Sequence, residues 1–169
     1  GNLVISEFRT RAANGANDEF VEIFNPTTSP VYMGGWQLWR SSGCGVVTTL
    51  LFSIPEDAWL LPGHHYLAAS VDSSLSIPPD LVYTGELPDT GGLALVNRSG
   101  SIIDQVGLCS TTGYLEGINL EPLVDDFNQS YERKPGGSEG SCYDTYNISS
   151  EFNLVTSALS QNLVSPPVY

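Results

Sequence analysis

Apolar residues alternate with polar ones, or form short uninterrupted runs, along most of the chain up to residue 134. This period of two is typical of β-strands, whose successive side chains point to opposite faces. Runs rich in β-branched and aromatic residues predict strands at 3–8, 19–24, 35–40, 46–54, 65–70, 81–83, 93–97, 101–106 and 130–134. Most runs end at a turn rich in Gly, Pro, Asn, Asp or Ser.

Turn chemistry and the scarcity of helical patterns define the fold class. The loop at 98–100 ends in Gly and predicts a hairpin, because Gly supplies the positive φ that such turns need. The best helical stretch, 115–127, contains Gly117 and Pro122, which interrupt a helix. Nine short strands with very little helix predict an all-β fold, either a two-sheet sandwich or a barrel.

The length of 169 residues suits one domain. From about residue 155 the composition shifts to Ser, Asn and Gln and ends in SPPVY, which is typical of a linker. We therefore expect one domain over 1–158 and a Ser/Pro-rich linker edge over 159–169. The chain opens with Gly1 and lacks an initiator Met, so we expect a fragment or a processed product.

The charge balance is strongly acidic, with 19 acidic and 6 basic residues and a net charge of -13. Such a surface repels phosphate backbones and anionic lipids, because both bind largely through Lys and Arg. No apolar run approaches the roughly 20 residues of a membrane helix. We therefore expect neither direct nucleic-acid binding nor membrane insertion.

The two histidines, His64 and His65, are adjacent at the entry to the strand predicted at 65–70. Neighbouring strand residues point to opposite faces, so the two rings cannot converge on one metal or one nucleophile. No Gly-x-Ser-x-Gly elbow accompanies them, which argues against a hydrolase triad. A hydrolase stays open only if a cleft brings His64 within hydrogen-bond reach of Asp and Ser. We expect no catalysis and no cofactor.

Three acidic residues in the second half are weak candidates for a calcium site: Asp125, Asp126 and Asp144. The stretch DDFNQS lacks the spacing of an EF-hand, and adjacent aspartates on a loop are usually solvated. Calcium from outside the cell is nevertheless the metal that an acidic surface of this kind suits. A calcium site is the less favoured interpretation.

Glu22 lies in the run EFVEIF, on the strand face that also carries two phenylalanines. A half-buried carboxylate needs a partner or it becomes protonated, and Arg is the best planar donor for one. The segment SYERKPGG at 130–137 supplies Arg133. We predict that Glu22, or failing that Glu19, pairs with Arg133 across the sandwich as a structural ion pair.

Aromatic residues are the candidates for ligand contact. Trp36 and Trp39 differ by three positions, so on one strand they face opposite ways and only one can lie in the core. Trp39, Trp59 and Tyr114 are the residues that could face a ligand. Exposure of Trp39 beside Tyr32 or Trp59 would favour sugar binding.

The segments NDEFVEIFNP, PVYMGGWQL, LLPGHHYLAA, GGLALVNRSGSIIDQVG and SYERKPGG follow one another over about residues 3–154. In this order they resemble the lamin tail domain family in its secreted bacterial branch. The resemblance implies an immunoglobulin-like two-sheet β-sandwich. It also implies a non-catalytic module of secreted or surface proteins, some of them extracellular nucleases and phosphatases. Eukaryotic members bind nuclear partners and DNA, but the acidic charge argues against transferring DNA binding to this chain.

The three cysteines match no CxxC metal pattern, and they allow either one bridge with one leftover thiol or three buried thiols. Relative to the short lamin core, this chain is extended at 107–128 and at 140–152. Because Cys109 and Cys142 lie in these two extensions, we hypothesise that they bond to each other. Cys44 would then be the unpaired thiol.

These observations favour an extracellular bacterial interaction module of a larger secreted or cell-surface protein, monomeric as an isolated domain, that binds a protein or a glycan. One alternative is a carbohydrate-binding module that uses exposed Trp and Tyr. Another is an accessory domain of an extracellular nuclease or phosphatase. Exposed loops and edge strands are where a partner would bind.

Overall fold

The computed structural model describes residues 2–169. In chain order the strands are β1 (Val4–Arg9), β2 (Phe20–Phe24), β3 (Val31–Tyr32), β4 (Gln37–Ser41), β5 (Thr48–Ser53), β6 (Trp59–Leu60), β7 (His65–Ser70), β8 (Leu81–Tyr83), β9 (Gly92–Val96), β10 (Ile102–Gly107), β11 (Ser130–Arg133) and β12 (Phe152–Val155). A 3₁₀ turn covers Gly137–Glu139, and the helix α1 covers Ile148–Glu151.

The strands form two main sheets and one small ribbon. The six-stranded sheet has the order β12-β11-β1-β2-β7-β8, the four-stranded sheet has the order β10-β9-β4-β5, and β3 pairs with β6. The β7–β8 pair is parallel. The immunoglobulin-like two-sheet sandwich is confirmed, and all nine predicted strands are present. The sequence pattern did not predict β3, β6 or β12, which contain two to four residues each.

The core lies between the two main sheets and follows the predicted alternation. On β2, Val21 and Ile23 point inward to the main core. Phe20 points to the opposite face, where it packs with Leu67 and Ala69 in a second, smaller cluster. We call the face of each sheet that is directed away from the core its outer face.

A β-bulge in β1 changes which residues reach the outer face. The pairing register between β1 and β2 shifts between Ile5 and Glu7. Because a bulge inserts an extra residue, Ile5 and Phe8 both reach the core although they are three positions apart. The bulge also places Glu7 opposite Glu22 on the outer face of the six-stranded sheet.

The C-terminal segment covers this outer face. The prediction of a linker edge over 159–169 is wrong, because this segment is hydrogen-bonded to the body of the domain. The Asn162 side-chain amide donates to the Pro78 carbonyl at 2.9 Å, and the Val168 N–H donates to the Gly63 carbonyl at 2.9 Å. We call residues 158–169 the C-terminal strap. The strap lacks strand periodicity, so its composition alone did not distinguish it from a linker.

The segment that follows β10 covers the outer face of the four-stranded sheet. Tyr114 is 8% exposed and packs there against Ala94, Val96 and Trp39. A side chain at Gly92 would collide with the Tyr114 carbonyl oxygen, so this close approach requires Gly. Each sheet therefore has part of its outer face covered by a segment without strand structure.

A disulfide fixes this covering segment. The hypothesised Cys109–Cys142 bridge is wrong, because Cys109 bonds to Cys44 with their Cα atoms 5.4 Å apart. After β10 the chain turns back across the sheet to the β4–β5 turn, where the Gly113 N–H donates to the Gly45 carbonyl at 3.1 Å. Cys142 is a free, exposed thiol. By chain entropy, a bridge between cysteines 65 positions apart contributes about 4 kcal/mol.

Among residues 2–169, every helix is too short or too polar to span a lipid bilayer.

Candidate ligand-binding surface

Glu22 does not pair with Arg133. The two side chains lie on opposite faces of the six-stranded sheet, so the predicted ion pair is wrong. Glu22 Oε1 accepts a hydrogen bond from Ser6 Oγ at 2.6 Å. Its Oε2 accepts one from the backbone N–H of Gln161, in the C-terminal strap, also at 2.6 Å. Glu22 therefore connects the outer face of the sheet to the strap.

Glu19, the alternative partner for Arg133, is also buried elsewhere. One of its carboxylate oxygens accepts the backbone N–H of Leu87. Burial is the main reason that the pKa of Glu19 rises to about 8. The alternative pairing is therefore wrong as well, and Glu19 holds a proton at neutral pH.

Two more carboxylates lie beneath the strap and accept hydrogen bonds. Glu7 accepts the hydroxyl of Ser130 at 2.5 Å. Asp80 accepts the backbone N–H of Leu67 at 2.8 Å and that of Leu163, in the strap, at 3.0 Å. Glu22 and Asp80 thus accept backbone N–H groups of the strap.

Burial and mutual repulsion change the protonation of the Glu7–Glu22 pair. Burial raises the pKa of Glu7 to about 7. Burial and the charge of Glu7 raise the pKa of Glu22 well above its ordinary value. Two carboxylates that face each other in a dry environment cannot both be ionised cheaply, so the pair holds at least one proton at neutral pH.

His65 lies beside this pair but does not form an ion pair with it. Its Nε2 is 3.7 Å from Glu22 Oε1. Burial is the main cause that lowers the pKa of His65 to about 4, so the ring is neutral at pH 7. Both residues are 2% exposed. A solute therefore has no access to the place where carboxylate and imidazole meet.

His64 lies just before β7 and contacts the C-terminal strap. Its Nδ1 lies 3.3 Å from the carbonyl oxygen of Leu163 in the strap. That contact is with backbone, not with a serine or an aspartate side chain. Among the described residues, His64 therefore has no hydrogen bond to an aspartate or serine side chain.

Arg133 lies on the inner face and pairs with two other acids. Its guanidinium donates to Asp104 Oδ2 at 2.7 Å and to Glu151 Oε2 at 2.7 Å. It also donates to the Ile5 carbonyl at 2.9 Å and stacks on the Phe152 ring at 4.7 Å. Arg133 therefore forms a buried ion-pair network with Asp104 and Glu151 in place of the predicted pair.

The pKa values of these two acids differ although they share one arginine. Burial raises the pKa of Asp104 to about 6, despite the charge of Arg133. Burial would also raise that of Glu151, but backbone N–H groups of Thr145 and Asn147 and the charge of Arg133 hold its pKa below the ordinary value. Asp104 also accepts two backbone N–H groups, those of Ile5 and Gln105, so the larger effect of burial on Asp104 accounts for the difference.

The weak calcium candidates do not converge. Asp126 pairs with Arg11 at 2.8 Å, and Asp144 accepts the backbone N–H of Tyr146 at 3.4 Å. Asp125 is a neighbour of Asp126 on an exposed loop. Within residues 2–169, no three His, Cys, Asp or Glu side chains gather in a way that could hold a metal ion.

Of the three aromatics predicted to face a ligand, one is exposed. Tyr114 is buried, so the prediction for it is wrong. Trp39 is half-buried against Tyr114, and its indole N–H donates to Gln37 Oε1 at 3.0 Å. Trp59 is 55% exposed.

The exposed ring of Trp59 has an aromatic neighbour. Tyr32 is 38% exposed, and its ring centroid lies 5.2 Å from that of Trp59 at an interplanar angle of 54°. The two residues face each other across the β3–β6 ribbon. An exposed aromatic pair of this kind is an apolar patch that a folded chain would otherwise bury.

Two charged side chains continue this patch. The Tyr32 hydroxyl donates to the Glu56 backbone carbonyl at 2.6 Å and lies 3.3 Å from Glu56 Oε2. Arg98 donates to the same Oε2 at 2.6 Å, with both side chains mostly exposed. We call the group Tyr32, Trp59, Glu56 and Arg98 the aromatic platform. An exposed ion pair contributes little to stability in water, so this pair adds little to the stability of the fold.

Two glycines in the sequence PVYMGGWQL allow the close backbone approach and the turn that the platform requires. A side chain at Gly34 would collide with the Tyr32 hydroxyl and the Glu56 carbonyl. Gly35 has φ +75°, a conformation that favours Gly, and its N–H donates to the Ile54 carbonyl at 3.0 Å. The tight turn brings the 54–58 loop under the Tyr32 ring. Sequence reasoning identified Tyr32 and Trp59 but missed Glu56 and Arg98, which have no motif.

A separate concavity lies at one end of the sandwich. Its volume is about 380 Å³, and it is lined by parts of the 24–28 and 62–63 turns, the 139–142 loop and the end of the C-terminal strap. Glu139 is the one acidic side chain among the described lining residues, and the free thiol of Cys142 also lines the concavity. This composition provides no acid–base pair.

Comparisons with known proteins bear on the fold. A family model described as the Lamin Tail Domain matches residues 1–109, a range that contains the whole aromatic platform. A crystal structure of a DUF4876 family protein from Bacteroides thetaiotaomicron VPI-5482 is similar, with a TM-score of 0.61 and 13% identity over 98% of this chain and 74% of that chain. At this identity the likeness shows the fold alone. No curated protein matches.

Proposed function

Because this chain belongs to the lamin tail domain family, we propose that it is a non-catalytic attachment module of a larger secreted protein. The ligand is a neutral glycan, and it binds at the aromatic platform. The observation that carries this proposal is the exposed, continuous arrangement of Trp59, Tyr32, Glu56 and Arg98.

The platform combines the two kinds of contact that a pyranose ring requires. A β-linked pyranose exposes C–H groups on its faces and hydroxyls around its rim. The indole of Trp59 offers an apolar surface for the face. Glu56 offers carboxylate acceptors and Arg98 offers a fork of N–H donors for the hydroxyls. Few single side chains supply both an apolar surface and hydrogen-bonding groups. In the platform, separate side chains supply the two kinds of contact side by side.

The geometry favours one glycan chain over a flat solid surface. Because the Tyr32 and Trp59 rings are inclined at 54°, they cannot both lie flat on a planar crystalline polymer. Two inclined rings can contact successive sugars of a single twisted chain. We therefore expect binding to oligosaccharides in solution.

Charge restricts the ligand to neutral sugars. The chain has a net charge of -13, and the guanidinium of Arg98 is already paired with Glu56 at 2.6 Å. A polymer of uronic acids would be repelled at long range, and it would have to displace Glu56 to reach Arg98. Neutral hexoses or N-acetylhexosamines avoid both costs.

Two observations support the secreted, non-catalytic part of the proposal. The Cys44–Cys109 bridge suits an oxidising compartment outside the cytosol. Among the described residues, the acids with strongly raised pKa values lie beneath the strap or in the core, where a substrate cannot reach them. An attachment role is consistent with both features.

Calorimetric titration with defined sugars tests the proposal. The probes are chitohexaose, cellohexaose and polygalacturonate. We expect one of the two neutral oligosaccharides to bind and the acidic polymer not to bind. Trp59→Ala should weaken binding by about tenfold or more, because it removes the stacking surface.

Phe127 provides the matched control. It is 61% exposed and lies outside the platform, so Phe127→Ala should leave binding unchanged. The proposal fails if neither neutral oligosaccharide binds, or if both alanine variants bind as tightly as the unaltered chain.

A further inference from the structure

The strand β5 has a free edge. In the four-stranded sheet β5 is the last strand and pairs with β4 alone. Within residues 2–169, no other backbone segment is hydrogen-bonded to Thr48–Ser53. A strand edge with unpaired N–H and C=O groups is a template for another strand.

The ladder with β4 fixes which groups are free. The Ser42 N–H donates to the Val47 carbonyl at 2.8 Å, and the next pairs along the ladder are Ser41–Thr48 and Arg40–Thr49. Bonded and non-bonded pairs alternate in an antiparallel ladder. Thr49 therefore bonds to β4, whereas Thr48 and Leu50 direct their N–H and C=O groups away from the sheet.

The side chains at this edge are apolar or neutral, and they are exposed. Val46 is 76% exposed, Val47 is 66% exposed and Leu50 is 40% exposed. No charged residue occurs from 41 to 55. Proteins usually protect such an edge with charge, Pro or a short strand.

Two other edges of this molecule show that protection. The edge strand β8 has three residues and follows Pro78 and Pro79. The edge strand β10 is interrupted by a bulge that ends at Asp104. β5 has six residues without Pro or charge. Its bulge next to Leu51 lies beyond Thr48 and Leu50.

We propose that the β5 edge binds an extended segment of a partner protein that adds as a strand to the four-stranded sheet. The partner segment alternates apolar and polar residues and carries basic residues at the end that lies beside the C-terminal part of β5. Charge complementarity selects these basic residues, because the exposed acids Glu56 and Asp57 follow β5 and Glu86 lies beside Leu51 through its neighbour Gly85. A second copy of the chain fits less well, because it would bring another net charge of -13.

Fluorescence anisotropy of a labelled synthetic peptide tests this inference. The probe alternates valine and threonine between terminal lysines, and a second probe has terminal glutamates. We expect the lysine peptide to bind at least about tenfold more tightly than the glutamate peptide. Equal affinity, or no binding of the lysine peptide, overturns the inference.

A proline variant separates strand addition from side-chain contact. Thr48→Pro removes an outward N–H without removing a bond to β4, which edge strands tolerate. This variant should weaken peptide binding at least about tenfold, and Thr48→Val should not weaken it. Unchanged binding by a folded Thr48→Pro variant contradicts strand addition.

Amide hydrogen exchange of the unaltered chain gives a test that does not depend on folding of the variant. The lysine peptide should protect the amides of Thr48 and Leu50 and leave that of Thr49 unchanged. Absence of new protection overturns the inference. A concentration-dependent dimer that Thr48→Pro abolishes also overturns it, because it assigns the edge to a second copy. Trp59→Ala should not affect peptide binding, so this test is independent of the glycan test.

Discussion

Two pairs of side chains lie where their polarity would not place them. The carboxylates of Glu7 and Glu22 are buried, whereas the aromatic rings of Tyr32 and Trp59 are exposed. The burial of Glu7 and Glu22 is explained by the chain itself, because Ser6, Ser130 and the C-terminal strap donate hydrogen bonds to their carboxylates. The described chain contains no group that covers the second pair. The buried carboxylates therefore serve the fold, whereas the exposed rings are available to a ligand.

The buried acids also differ among themselves. Asp104 and Glu151 share the guanidinium of Arg133, so a cation compensates their charge. Glu7 and Glu22 have raised pKa values, so a bound proton compensates theirs. Stability that depends on the Arg133 cation should change little once pH exceeds the pKa of Asp104, which is about 6, whereas stability that depends on the protons of Glu7 and Glu22 should still fall as pH rises further.

Removing the buried cation should have the largest effect. Arg133→Leu leaves Asp104 and Glu151 buried without a partner, and we expect it to lower the free energy of unfolding by about 3–5 kcal/mol. Denaturant melts at neutral pH measure this loss. Arg11→Leu is the matched control, because Arg11 is partly exposed in its ion pairs with Asp89 and Asp126. A loss no larger for Arg133→Leu than for the control would contradict the role of the buried arginine.

Raising the pH should have the next largest effect. An acid whose folded pKa is raised binds its proton more tightly in the folded state, so its contribution to stability is present below the unfolded pKa of 4.5 and is lost as pH rises through the folded pKa. That folded value is about 7 for Glu7 and about 8 for Glu19. We expect the free energy of unfolding to fall on the order of 2 kcal/mol between about pH 6.5 and 8.5.

The lower limit of this pH range excludes the titration of His65, which has the opposite effect on stability. The lowered pKa of His65 makes stability fall as pH decreases below about 6.5. Glu22→Gln should reduce the alkaline loss, because an amide keeps the hydrogen bond from Gln161 without acquiring charge. Glu139→Gln, at an exposed position, should leave the pH profile unchanged. A profile for Glu22→Gln identical to that of the unaltered chain would show that the Glu7–Glu22 pair is not responsible.

Truncating the exposed ring should have the smallest effect on stability. Trp59→Ala should change the free energy of unfolding by no more than about 0.5 kcal/mol, because substitutions at exposed sites rarely do more. Trp36→Ala is the control, because Trp36 packs against the main core and should cost clearly more. Thermal melts of both variants make the comparison. A large loss for Trp59→Ala would mean that the platform is part of the structural framework.

The sequence predicted the fold because strand alternation and turn residues are local signals. It also indicated correctly that Glu22 needs a partner. It could not identify that partner, because the β1 bulge, the opposite orientation of Arg133 and the strap depend on distant pairing. Cys44 and Cys109 likewise meet only because the chain turns back after β10.

The platform was predictable only in part. Trp59 is an aromatic residue in the segment between the strands predicted at 46–54 and 65–70, and that signal is visible in the sequence. Glu56 and Arg98 come from separate loops that meet Tyr32 through the two-residue strands β3 and β6. Strands of that length have no detectable periodicity, so the sequence could not show that these residues are adjacent.

The indole N–H resonances of the three tryptophans test the binding account most directly. Trp36 and Trp39 are half-buried and serve as internal references, whereas Trp59 is exposed. In a nitrogen–proton correlation spectrum titrated with the neutral oligosaccharide that binds, the Trp59 resonance should shift and the other two should not. An unmoved Trp59 resonance while the oligosaccharide binds elsewhere would contradict the account.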